Sequence, residues 1–285
     1  MRQSAGGIAV LAVLVLSGCP RDLPRNEAPS PRVVSFSPAV TEMIFEMGLG
    51  DHVVGVTSYC RPPAGVNIPV VGNDLNITVE PILAVEPDIL VTQSNPKQFA
   101  MLRRLKPDLR IEPIKIETLG DIADAMSRLS TLMGSPDKGK SARRAFLASL
   151  EKVRGRVAGR PKPRVVFLMG HHDPSTAGQG TFINELIEVA GGVNAAAVGR
   201  KRWPKIGIES LLKLAPDVIV CESEASVADE AREYWSKLTE PLPKKVRIHV
   251  VTDKRWTIPS GRISDTFAPM LADFLHPETA GGSGE

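Results

Sequence analysis

The chain contains one stretch twice. Residues 77–94 read ITVEPILAVEPDILVTQS and residues 206–223 read IGIESLLKLAPDVIVCES, an offset of 129 with seven of eighteen positions identical. The identities are Ile77/Ile206, Glu80/Glu209, Leu83/Leu212, Pro87/Pro216, Asp88/Asp217, Val91/Val220 and Ser94/Ser223, and five of the other eleven pairs set apolar against apolar. Two further pairs keep the same order along the chain. Arg32-Val-Val matches Arg164-Val-Val, and Glu42-Met-Ile-Phe-Glu-Met-Gly48 matches Glu185-Leu-Ile-Glu-Val-Ala-Gly191. A repeat of this length means two lobes of one design.

Within each half, strands alternate with helices. Arg32–Ser37 is a β-branched run, and Pro38 suits the first turn of a helix whose apolar face is Val40, Met43, Ile44 and Met47, ended by Gly48. Val53–Thr57 reads as a second strand, and Ile89–Thr92 as the next one after a helix that closes at Leu83–Asp88. The alternation predicts an α/β fold with mainly parallel sheets. The lobes are expected over 32–134 and 162–277. Between them, Ala142, Phe146, Leu150, Val153 and Val157 form one apolar stripe, with Ser135 as N-cap and Pro136 at the first helical position. A single long helix over about 135–161 should therefore cross from one lobe to the other.

The stretch before that helix, Gly134-Ser-Pro-Asp-Lys-Gly139-Lys140-Ser141, fits G-x-x-x-x-G-K-[ST] and raises a P-loop nucleotide-binding reading. That motif needs a strand ahead of it. Here Ile122, Ala125, Met126, Leu129 and Met133 precede it at helical spacing, and Pro136 removes one of the amides that would cradle phosphate. The loop is expected to join helix to helix. Gly178-Gln-Gly180 opens a helix without the third glycine of a dinucleotide fingerprint, and reads as a tight turn. No HExxH, G-x-S-x-G or CxxC occurs, so no catalytic or metal set is assigned. Cys60 and Cys221 lie in different halves and are expected as single thiols. His171-His172-Asp173 follows the strand Val165–Met169. Neighbouring side chains diverge, so the plain reading is a polar loop at a strand end; the alternative is that one histidine, taken as His171, contacts a ligand or a metal.

Lys+Arg exceed Asp+Glu by only three, which predicts no nucleic-acid groove. The N-terminus has a basic start at Arg2, a nine-residue apolar run over 8–16 and then Leu16-Ser17-Gly18-Cys19. This is an export signal, too short to span a bilayer. Its end resembles a lipobox, which implies cleavage after residue 18, a diacylglycerol on Cys19 and tethering at the cell envelope. Residues 19–31 then form a Pro-rich linker, and 278–285 a frayed tail.

Several strings together resemble the class III periplasmic solute-binding proteins of ABC importers. They are Val33-Val-Ser-Phe-Ser-Pro-Ala-Val-Thr-Glu42, Val54-Gly-Val-Thr-Ser-Tyr59-Cys-Arg-Pro-Pro63, Ile77–Glu80 through Pro87-Asp-Ile-Leu, Ala177–Asn194, Trp203-Pro-Lys-Ile, and Glu209 through Pro216-Asp-Val-Ile. The likeness runs unbroken over about 32–277. It implies two lobes joined by one long helix, a ligand cleft between them, and capture rather than catalysis. The ligand would be cobalamin, a ferric siderophore or haem, and no resident cofactor is implied. Cobalamin binders are the nearest match: they carry a tyrosine where Tyr59 stands, a Trp-Pro pair like Trp203-Pro204, and a pocket-lining segment where Asp253-Lys254-Arg255-Trp256 begins. That segment is one residue longer here. The implied ligand contacts are thus Tyr59, Trp203, Asp253, Lys254, Arg255 and Trp256, with Pro38 from the first string and His171. A flat, partly apolar corrin suits aromatic faces and loop polar groups. The resemblance further implies that Glu80 and Glu209 meet arginines on the two subunits of a permease dimer. Helix capping is the plainer reading of both.

Overall fold

The computed structural model describes residues 30–73, 77–170 and 172–277. Along the chain run β1 (Val33–Phe36), α1 (Pro38–Glu46), β2 (Val53–Val56), α2 (Val79–Ala84), β3 (Ile89–Thr92), α3 (Ala100–Leu105), β4 (Arg110–Pro113), α4 (Leu119–Leu132) and α5 (Pro136–Val157). Then come β5 (Arg164–Met169), β6 (Ser175–Thr176), α6 (Phe182–Val189), β7 (Val193–Asn194), α7 (Ile208–Leu214), β8 (Val218–Glu222), α8 (Ala228–Thr239), β9 (Arg247–Val251) and α9 (Ala268–Leu275). The first sheet has order β2-β1-β3-β4 and is parallel throughout. The second has order β6-β5-β8-β9 with β7 also on β5, and only β6 is antiparallel. Residues 1–18, Cys19 and 278–285 lie outside the described residues, as does His171.

The repeated residues do the same structural work in each lobe. The amide of Arg32 donates to Asp88 Oδ2 at 2.8 Å, and that of Arg164 donates to Asp217 Oδ2 at 2.8 Å. The Arg32 guanidinium donates to the carbonyls of Val85 and Glu86, while that of Arg164 donates to Leu214. These carbonyls lie at or just past the C-terminal ends of α2 and α7, where a cation also meets the negative end of the helix dipole. Each helix is left through a non-glycine residue at φ 44°, Glu86 in one lobe and Ala215 in the other, at the same repeat offset. The arginine and aspartate offset that strain.

Strand residues alternate between two faces. In the first sheet, Val34, Phe36, Leu90 and Ile111 pack under α2 and α3 with Ile82, Phe99 and Leu102. In the second, Val166, Leu168, Ile219 and Cys221 pack with Leu211 and Trp235. The opposite faces of both sheets, with Val33, Val91, Val165, Phe167 and Val220, belong to one apolar cluster that runs from lobe to lobe through α1, α4, α5, α6 and α9. Cys60 and Cys221 are free, buried thiols. Burial pushes the Cys221 thiol up to about 11, which keeps it unreactive.

The bridge is α5. Phe146, Leu150, Val153 and Val157 are buried in the shared cluster and Ala142 packs at its margin. Ser135 occupies the N-cap position and Pro136 the first turn, but the Ser135 hydroxyl makes no capping bond. At the far end, Arg156 Nη2 donates to Pro269 O at 2.8 Å and Arg160 Nη1 to His276 O at 3.3 Å, tying α5 to α9. The P-loop-like string joins α4 to α5 with no strand before it. Its Gly139 is buried where α5 crosses α4: a Cβ there would stand 1.9 Å from Ser130 Oγ and 2.7 Å from Met126 O. Lys140 is exposed and pairs with Asp137 at 3.1 Å. Gly139→Ala should therefore lower unfolding free energy by about 1–3 kcal/mol, read from the urea midpoint. Lys140→Ala should leave it unchanged. Equal tolerance of both substitutions would overturn this account of the glycine.

Candidate functional site

In parallel sheets the loops at the carboxyl ends of the strands are where ligands meet the fold. Here two cavities form where those loops from the two lobes approach one another. The first, about 640 Å³, is lined by Glu42, Glu46 and the turn Arg61–Ala64 from the first lobe, and by Asp253, Arg255 and Arg262 from the second. The second, about 800 Å³, is lined by Glu117 from the first lobe and by Gln179, Gly180 and Gly199–Trp203 from the second. The first uses the loops after β2 and β9, the second those after β4, β6 and β7. Since β2 and β4 are the edges of one sheet and β6 and β9 the ends of the other, the cavities sit at opposite edges of the junction.

The sequence candidates divide among several places. Asp253 and Arg255 line the first cavity. Asp253 caps the short helical turn 254–257, accepting from Arg255 N at 3.0 Å, and its carboxylate holds the Arg255 guanidinium at 2.6 and 2.8 Å. Hydrogen bonding from Arg255 keeps the Asp253 carboxyl below the usual range. Lys254 turns away and pairs with Glu224. Trp256, expected as a ligand contact, is instead 1% exposed and packs in the core of the second lobe, 4.7 Å from the Phe267 ring and 6.3 Å from Phe167. Capping by Asp253 winds the turn so that its one large apolar side chain points inward, so Trp256 supports the pocket wall without offering a face to ligand. Trp203 is 39% exposed, borders the second cavity and leans on Phe182 at 6.1 Å. Tyr59 is exposed on the loop after β2 and lines neither cavity. Pro38 is half-buried in the first turn of α1, behind Ser37, which caps that helix and bonds Gln93. His171 lies outside the described residues. His172 sits against the Tyr234 ring at 5.7 Å, with Nε2 3.7 Å from Glu230 on α8.

Glu80 and Glu209 are exposed in the first turns of α2 and α7. Neither makes a hydrogen bond or ion pair among the described residues, and neither helix has a side-chain cap. Both therefore stand where the helix dipole favours a carboxylate, without a side-chain capping bond.

Sequence reasoning missed Glu117, used Glu42, Glu46 and Arg61 only as parts of matching strings, and met Arg262 only as the end of the segment that begins at Asp253. The signal was in the repeat. Glu42 and Glu185 occupy equivalent positions on α1 and α6, and each reaches into the other lobe. Glu42 Oε2 accepts from Ser260 Oγ at 2.9 Å, and Glu46, one turn on, accepts from Gly261 N at 2.8 Å. Glu185 Oε2 accepts from Leu119 N, the first residue of α4, at 2.7 Å. Each carboxylate thus meets the start of the last helical segment of the opposite lobe, where amides are unpaired and the dipole is positive. Arg202 adds a looser contact to Glu117 at 3.8 Å. Burial raises the carboxyls of both Glu42 and Glu46, against the opposing pull of the Ser260 and Gly261 bonds. A carboxyl raised in the fold stabilises it fully below its ordinary range, near 4.5, and loses that contribution as pH rises through the raised value. Glutamine at both positions keeps an acceptor for Ser260 and Gly261 without the charge. The double variant Glu42→Gln, Glu46→Gln should therefore lose less Tm than the parent between pH 4.5 and 7.5. A steeper fall in the variant would refute this.

Comparison with known proteins places this geometry. Residues 33–235 match the family model described as periplasmic binding protein. The vitamin B12-binding protein of Vibrio cholerae is 30% identical over 211 residues, 73% of this chain and 76% of that protein. That of Salmonella typhimurium is 28% identical over 211 residues, with 73% and 79% covered. Among solved structures, the periplasmic vitamin B12 binding protein of V. cholerae superposes with a TM-score of 0.72 at 26% identity, covering 87% of this chain and 97% of that one. A periplasmic heme binding protein from Pseudomonas aeruginosa gives 0.75 at 22% identity, with 87% and 94% covered. Two α/β lobes on one bridging helix, the cavities between their strand ends and a family match over most of the fold lead to one conclusion: the chain belongs to the periplasmic binding protein family.

Proposed function

We propose that this protein is the substrate-binding component of an ABC importer and that it captures cobalamin or a related corrinoid between its lobes. The observation that carries the reading is the likeness to vitamin B12-binding proteins across both lobes, together with the exposed aromatics Trp203 and Tyr59 on the loops at the junction. A corrin is wide, flat and partly apolar, with amide arms. Two polar cavities at the edges of the junction and aromatic faces on its loops suit that shape. Binding and release need no covalent step, and the relatives are named as binding proteins.

The ligand would pass to a permease dimer. Glu80 and Glu209 support this step: they occupy equivalent positions in the two lobes, stand exposed, and match a twofold partner carrying one arginine site per subunit. The signal over 1–18 and the cysteine at 19 would place the protein at the cell envelope on a lipid anchor.

The visible spectrum of the purified protein after titration tests the ligand directly, because corrinoid, haem and ferric catecholate have different bands. Corrinoid binding is expected. Trp203→Ala should weaken it by about 1–3 kcal/mol; unchanged affinity in both Trp203→Ala and Tyr59→Ala would move the pocket elsewhere. Glu80→Ala with Glu209→Ala should leave ligand affinity within a factor of a few and strongly reduce association with the permease. Normal transport by that double variant would remove the docking role. Cys19→Ser should abolish lipid labelling, and labelling that survives would remove the anchor.

A further inference from the structure

The two cavities differ in charge. The first is balanced, with Glu42, Glu46 and Asp253 against Arg61, Arg255 and Arg262. Much of that charge is already spent internally, on the Asp253–Arg255 pair and on Ser260 and Gly261. The second sets Arg200, Lys201 and Arg202 against Glu117 alone. Arg202 leans toward Glu117 at 3.8 Å, and neither Arg200 nor Lys201 has an acidic partner among the described residues. An excess of two positive charges thus faces one cavity, in a chain whose net charge is only +3.

This basic run is held in place. Gly178 N donates to Arg202 O at 2.6 Å and Thr176 N to Pro204 O at 2.9 Å. Ser175 bridges Lys205 in antiparallel fashion. The backbones approach so closely at Gly178 that a Cβ there would stand 2.3 Å from Lys201 O. Pinned on its neighbour, the loop presents its cations beside the exposed ring of Trp203. Fixing donors before the ligand arrives reduces the ordering cost of binding. A cation left unpaired at the mouth of a binding cavity is matched by an anion on what binds there.

We infer that the Arg200–Arg202 loop receives an anionic arm of the bound macrocycle, a carboxylate or phosphodiester, while Trp203 packs on the ring from which the arm hangs. The inference rests on the reading that a corrin-like or haem-like macrocycle binds at the junction, and it adds that the preferred ligand is one bearing negative charge on that edge. The first cavity, balanced in charge, takes neutral polar arms.

Paired probes that differ in the anionic arm test this on the full chain in non-ionic detergent. One pair is cyanocobalamin and dicyanocobinamide, which lacks the nucleotide phosphate; the other is haemin and haemin dimethyl ester. Affinities come from absorbance or tryptophan quenching. Within the pair that binds, the anionic member should bind roughly ten- to a hundredfold more tightly. That advantage should shrink as salt is raised. In Arg200→Gln, Lys201→Gln it should fall to within about twofold, the scale of weak exposed charge effects, with circular dichroism unchanged and the neutral member bound as before. If a macrocycle binds with equal affinity with and without its arm, or if the variant keeps the preference, the inference is wrong and the ligand reading stands. If no member of either pair binds, the ligand reading itself falls, and this inference with it.

Discussion

The structure depends on the continuity of its apolar core across the two lobes. The cluster that fills one face of each sheet passes through α5, so Met43 of the first lobe and Phe267 of the second belong to one packed interior. Opening the lobes would expose that interior, at a cost that scales with the apolar area uncovered. Reciprocal carboxylates at the edges of the junction, Glu42 and Glu46 on one side and Glu185 on the other, add direction to the packing. The space between the lobes is therefore set before a ligand arrives, so little freedom is lost on filling it.

The repeat explains why the same few residue types recur. A pseudo-twofold molecule must solve each local problem twice. The arginine that opens the first strand of each lobe closes the helix before the next one, and the aspartate after each proline holds that arginine's amide. Those identities are explained by folding alone. Glu80 and Glu209 differ from them, since no contact within the chain uses either side chain among the described residues. Both stand exposed at equivalent positions of the two lobes, so the fold alone does not explain why the pair recurs.

Electrostatics divide the junction in the same spirit. Around the first cavity, Glu42 and Glu46 reach across to Ser260 and Gly261, Asp253 holds Arg255 within its own lobe, and burial raises the carboxyls of Glu42 and Glu46. Around the second, a backbone-pinned loop leaves Arg200 and Lys201 without acidic partners among the described residues. Contacts join the lobes at both edges, but only the second sets a run of cations beside its cavity.

By itself the sequence determined the α/β class, the two related lobes, the bridging helix and the helix-to-helix setting of the P-loop-like string. Those features follow from periodicity, capping and repetition, which are local properties of a chain. The strand Ile89–Thr92 stands where the pattern puts it, and β1 is one residue shorter at each end than the β-branched run suggests. Side-chain direction within loops was decided by the tertiary structure alone. Trp203 and Trp256 both follow strands and look alike in sequence; one borders a cavity, and the other is buried because Asp253 caps a helical turn and rotates it inward. Likewise Glu42 and Glu46 lie on a helix whose apolar stripe was plain, but their partners are more than two hundred residues away. No local pattern encodes a contact that exists only once the two sheets and α5 have packed.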